Sequence, residues 1–89
     1  MNYRIKLTPT AKKEIRDLPG YVRAQANQLI QGLAQDPLLA RAKQLRDKPN
    51  FYRVWLAKHW RIVYEVDSEA IVVIVVRVRR KEHIDYDSL

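Results

Sequence analysis

The chain has 89 residues, no cysteine, and 17 lysines and arginines against 10 aspartates and glutamates, for a net charge of +7. That length suits one domain over 1–89, burying little more than about 60% of its unfolded surface, and the lack of thiols excludes disulfides and thiolate metal sites. The longest apolar run, Ala70–Val76, has seven residues, far short of the roughly 20 that cross a membrane; with no apolar signal core at the N-terminus, a cytoplasmic protein with no membrane partner is expected.

In chain order, Asn2–Thr8 alternates Tyr3, Ile5 and Leu7 with Arg4 and Lys6, the pattern of a half-buried strand. Thr8-Pro9 supplies a capping hydroxyl and a proline at the first helical position, where its missing N–H is harmless. Ala11, Ile15 and Leu18 then form a narrow apolar stripe, which predicts a helix from Pro9 to about Leu18, stopped by Pro19-Gly20. A second helix is predicted from about Tyr21 to Gln35, with Val22, Ala26, Leu29, Ile30 and Leu33 on one face and Asp36-Pro37 as its end. So short a connection implies an antiparallel helix hairpin laid on a sheet.

Leu38–Leu45 is expected to be a short helical turn leading into a loop at Arg46–Asn50. Two strands follow, Phe51–Ala57 and Trp60–Val66. Joined only by Lys58-His59, they must pair antiparallel, since a parallel pair needs a crossover of about a dozen residues. Alternation sends Tyr52, Val54 and Leu56 to one side of the first strand and Arg53, Trp55 and Ala57 to the other; in the second it separates Trp60, Ile62, Tyr64 and Val66 from Arg61, Val63 and Glu65. Arg53 and Arg61 are thus candidates for one shared surface. After a turn at Asp67–Glu69, the β-branched run Ile71–Val78 reads as a central strand buried on both faces. The fold class is α+β, in the order β-α-α-β-β-β, with a meander of three antiparallel strands that the first strand completes.

Charge is unevenly spread. Residues 41–61 hold seven basic side chains against one acidic, and such a concentration points to a polyanionic partner. Lys43, Arg46, Lys48 and Lys58 lie within it, beside Trp55, whose ring suits a nucleobase. A second basic cluster, Arg77, Arg79, Arg80 and Lys81, ends the last strand and is followed by His83 and Tyr86. If Ile74, Val76 and Val78 share a face, Arg80 continues it and Arg77 and Arg79 point the other way. Arginine suits phosphate because its planar fork donates paired hydrogen bonds and keeps its charge. Two histidines and scattered carboxylates make no metal-ligand set, and no cofactor is expected.

The ordered series Tyr3-Arg4-Ile5, Lys13–Leu18, Leu33 with Asp36-Pro37, Ala42–Arg46, Tyr52-Arg53-Val54 and Trp60–Glu65, then the valine strand, its basic end and Tyr86, resembles the RelE/ParE superfamily of toxins from toxin–antitoxin pairs over nearly the whole chain. The resemblance implies a compact α/β toxin silenced by an acidic or amphipathic antitoxin segment. RelE-type members cut mRNA in the ribosomal decoding site, and ParE-type members poison DNA gyrase. Arg53 and Arg61, with Arg80 or Lys81 and Tyr86, match the RelE-type catalytic pattern; Trp55 departs from it, standing where a second basic residue is the rule. Lys43, Arg46, Lys48, Trp55, Lys58, Arg79 and His83 are the accompanying RNA-binding candidates. The implied reaction is attack of a 2′-hydroxyl on the adjacent phosphate, with arginines stabilising the phosphorane. The alternative is a gyrase poison, or a catalytically inactive homologue acting as a binding module.

Overall fold

A computed structural model describes residues 2–38 and 41–89. The valine-rich β5 (Val72–Arg80) is an interior strand with a sheet neighbour on each side. The other elements are β1 (Arg4–Leu7), α1 (Pro9–Arg16), α2 (Gly20–Gln35), β2 (Lys43–Leu45), β3 (Lys48–Leu56) and β4 (Trp60–Asp67). They form one sheet in the order β1-β5-β4-β3-β2, with β1 parallel to β5 and every other pair antiparallel. Short 3₁₀ turns at Lys81–His83 and Tyr86–Ser88 follow. No helix among the described residues is long and apolar enough to cross a membrane.

The parallel β1–β5 pair is possible because both helices intervene. Thr8 caps α1, its hydroxyl accepting the Ala11 amide at 3.1 Å, and Pro9 opens the helix. Ala11 and Ile15 turn inward against β5, joined by Leu18 just past the helix end. From α2 come Val22, Ala26, Leu29, Ile30 and Leu33, and the sheet answers with Val54, Leu56, Ile62, Tyr64, Val66, Val73, Val75 and Val78. The Tyr64 hydroxyl donates to the Pro37 carbonyl at 2.6 Å, and its ring stacks on Tyr52 with centroids 5.9 Å apart, tying the exit of α2 to the sheet.

Lys43–Leu45 is a strand, where the sequence predicted a helical turn over Leu38–Leu45; Leu39 and Ala40 of that stretch lie outside the described residues. Ala42-Lys43-Gln44-Leu45 has good helix formers, but pairing of Lys43 with Arg53 and Gln44 with Tyr52 prevails over local preference. The loop expected at Arg46–Asn50 shrinks to Arg46-Asp47, because β3 begins at Lys48. Pro49 is tolerated there, since the ladder with β4 starts only at Phe51 opposite Glu65. Ala57 joins Lys58-His59 in the hairpin turn and adopts a left-handed φ of 51°.

A bulge reorients β5. Val63 pairs with Arg77 but Tyr64 pairs with Val75, leaving Val76 as the extra residue. Val73 and Val75 therefore face the helices together with Val78, while Ile74, opposite Glu65, lies on the far side. The expected shared face of Ile74, Val76 and Val78 is broken at this point. Beyond the bulge, Arg77 and Arg79 turn to the face without helices, and Arg80 pairs with Trp60 on the helix side.

Candidate nucleic-acid interface

Two rows of side chains cross the open face. The ladder sets Lys43 beside Arg53, Arg53 beside Val63, and Val63 beside Arg77; the next row runs Trp55, Arg61, Arg79. Arg53 and Arg61 thus share a surface, one strand and one pleat apart. Arg61 is unusual in being only 8% exposed. Its Nη1 donates to the Tyr86 hydroxyl at 2.8 Å, and its guanidinium carbon sits 4.3 Å from the centroid of the Trp55 ring. Arg79 pairs with Glu14 and Arg80 with Glu82, and neither ion pair involves Arg61. A guanidinium taken out of water needs compensation; here the Tyr86 hydroxyl and the Trp55 indole supply it.

The end of β5 sorts the remaining cations. The Lys81 amide donates to the His59 carbonyl at 2.9 Å, and its ammonium lies 5.6 Å from the Trp55 ring, joining the Arg61 group. Arg80 lies instead 5.1 Å from the Trp60 ring and bonds Glu82 at 2.8 Å; that bond holds the exposed Glu82 carboxyl below its usual range. Arg79, although opposite Arg61 in the ladder, is pulled to the sheet edge by Glu14 at 3.0 Å, and the other Glu14 oxygen accepts the Val78 amide at 2.9 Å. His83 lines the same helix-side hollow as Trp60 and Arg80, away from Arg61. Lys58 is exposed in the hairpin turn.

From the last 3₁₀ turns the chain comes back over the open face. Tyr86 and Asp87 line a cavity of about 420 Å³ with Arg46, Lys48 and Arg53. The structure therefore brings together Arg53, Arg61, Lys81, Tyr86 and Trp55, with Lys43, Arg46 and Lys48 at the rim, and leaves Arg80, His83 and Lys58 outside this group. Two cations escaped the sequence reading as site residues. Arg77 reaches the open face through the bulge, and Arg41 lines a small cavity with Lys43, Arg53 and Arg61. A charge interrupting the valine strand was the available signal for Arg77; Arg41 carried none beyond its sign. Among the described residues, no three histidine, aspartate or glutamate side chains are grouped to hold a metal ion.

Chemically, this face offers several permanent cations, one of them desolvated, with a hydroxyl donor and an aromatic ring beside it. Such a set binds a phosphodiester and stabilises charge gathering on its oxygens. Comparison with known proteins shows the family. Residues 5–84 match the family described as ParE toxin of type II toxin-antitoxin system, parDE. The mRNA interferase toxin RelE of Escherichia coli K12 is 32% identical over 83 residues, 92% of this chain and 86% of that protein. In structure, a chain of the intact E. coli RelBE toxin–antitoxin complex superposes with a TM-score of 0.80 at 32% identity, over 91% of this chain and 99% of that one. The fold is also shared with a chain of the RelBE2 toxin–antitoxin complex of Mycobacterium tuberculosis, at TM-score 0.78 and 24% identity, over 91% of this chain and 100% of that one.

Proposed function

Because the chain belongs to the RelE/ParE superfamily of type II toxin–antitoxin toxins, we propose that it is a RelE-like mRNA endoribonuclease that cuts on the ribosome and is silenced by a cognate antitoxin. The observation that carries this reading is Arg61: a buried cation bonded to a hydroxyl and outside both ion pairs, Arg79–Glu14 and Arg80–Glu82, among the described residues. A fold selected for stability alone gains nothing by burying such a charge. A phosphate supplies a counter-charge.

In the reaction, the RNA 2′-oxygen forms a bond to the adjacent phosphorus and the bond from phosphorus to the 5′-oxygen breaks, giving a 2′,3′-cyclic phosphate and a 5′-hydroxyl. Arg61 and Arg53 take the charge that builds on the phosphoryl oxygens, with Lys81 as the third cation. The Tyr86 oxygen accepts from Arg61, so its own proton is free to go to the departing 5′-oxygen. Asp47 and Asp87 line the cavity beside Arg53 and Tyr86; the 2′-proton passes to solvent water, from which Tyr86 regains the proton it gave to the 5′-oxygen. Catalysis therefore rests on electrostatics and on a ribosome that holds the mRNA bent, and free RNA is a poor substrate. The antitoxin is an acidic or amphipathic segment that covers the basic face.

The test is inducible expression without antitoxin, followed by primer extension across a translated mRNA. Cuts within codons that disappear when translation is blocked, and that Arg61→Ala abolishes, are expected. Growth arrest with intact mRNA would instead favour a gyrase poison, the alternative that the resemblance implies.

A further inference from the structure

Two adjoining cavities meet at Trp55. The smaller, about 70 Å³, is lined by four cations, Arg41, Lys43, Arg53 and Arg61, with Val54 and Trp55. The larger, about 580 Å³, is a groove between α2 and the end of β3, and Gln25, Gln28, Arg41 and Trp55 are among its walls. Arg41 and Trp55 belong to both. One cavity thus has the size and charge for a phosphate group, and the other has room for a flat heterocycle with side-chain amides beside it. Trp55 is 45% exposed on the face without helices. Its position relative to the phosphate-binding cation is fixed by the 4.3 Å contact with Arg61.

We propose that the groove receives the base of a nucleotide flanking the phosphate held at Arg61, and that Trp55 is the platform on which this base stacks. The proposal rests on the nuclease reading and adds to it a source of sequence selectivity. Stacking on an aromatic ring grows with the area of overlap, so the preferred occupant is a purine. The exposed amides of Gln25 and Gln28 each offer a donor and an acceptor and meet the edge of that base. The phosphate cavity is indifferent to sequence; the groove is not.

Cut-site distributions test this. Wild type, Trp55→Ala, Trp55→Phe and the double variant Gln25→Ala/Gln28→Ala are compared by primer extension on translating ribosomes. Wild-type cuts should carry a purine at one of the two positions flanking the cut, enriched about five- to tenfold over a pyrimidine. Trp55→Ala should flatten that enrichment, and Trp55→Phe should retain part of it. The glutamine variant, altered only at exposed positions, should change the ratio of adenine to guanine while keeping the purine preference. Cuts by Trp55→Ala or Trp55→Phe with the full wild-type base distribution overturn the proposal and leave the nuclease reading standing. An unchanged adenine-to-guanine ratio overturns the role of the amides. Absence of cuts by the wild type overturns both readings together.

Discussion

Replacing Arg61 with methionine should abolish mRNA cleavage and make the protein more stable. Arg61 is 8% exposed, and withdrawing such an ion from water carries an effective penalty of several kcal/mol. Against this, the charge-assisted bond to Tyr86 returns about 1.5–3 kcal/mol, and the contact with the exposed Trp55 ring about 0.5–1 kcal/mol. Methionine keeps most of the volume, so little packing is lost. The balance favours Arg61→Met by about 1–2 kcal/mol, which in a chain of this length raises the melting temperature by roughly 5–10 °C. Urea denaturation followed by circular dichroism measures the difference. A second arm adds inorganic phosphate: an anion that binds the native state at Arg61 stabilises wild type by mass action and leaves the variant unmoved. The reasoning is refuted if Arg61→Met is less stable than wild type, or if phosphate raises both melting temperatures equally. Either result makes Arg61 a structural residue.

Lys81→Ala should reduce cleavage on translating ribosomes about tenfold or more, whereas Arg80→Ala, whose side chain lies against Trp60 and Glu82, should have a much smaller effect; primer extension at matched protein levels distinguishes them, and equal losses would contradict the placement of these two side chains. Tyr64→Phe leaves the Pro37 carbonyl without its donor and should lower stability at neutral pH by about 1–2 kcal/mol. Burial holds the Tyr64 hydroxyl well above the ordinary tyrosine range, with Tyr52 and Asp36 adding to the effect. The unfolded chain ionises that phenol near about pH 10, so the stability it contributes is intact below that pH and declines as the pH rises above it. Urea titrations on both sides of that pH should show a smaller alkaline loss for the phenylalanine variant, and parallel losses would remove Tyr64 as the cause.

Much of the sheet could be read from alternation alone. Val54, Leu56, Ile62, Tyr64 and Val66 fall on the core side that a two-residue period assigns them, and Arg53 and Arg61 fall opposite. What periodicity could not carry is a change of phase. A bulge adds one residue to one strand, and nothing in Val75-Val76-Arg77 announces it, yet it decides which of the terminal cations reach the open face. The choice between Arg80 and Lys81 was open in the sequence for that reason: it depends on where the strand stops and which way the chain then turns. β2 was hidden differently, since Lys43, Gln44 and Leu45 are strand residues only because Arg53 and Tyr52 lie alongside. The burial of Arg61 was equally invisible, because it depends on Trp55 beside it and on Tyr86, 25 residues further along the chain.

Glu14 has a consequence for how copies of this toxin behave in a crowded solution. β1 accompanies β5 only from Val72 to Val75, and past that point no strand among the described residues flanks the end of the valine strand on that side. A bare backbone there is a template on which a second chain can continue the sheet. The Glu14 carboxylate occupies the Val78 amide and holds the neighbouring arginine with its other oxygen. A helix side chain thus stands in for the missing strand and seals that margin from within, so self-assembly at this edge must first evict a charged group from two bonds.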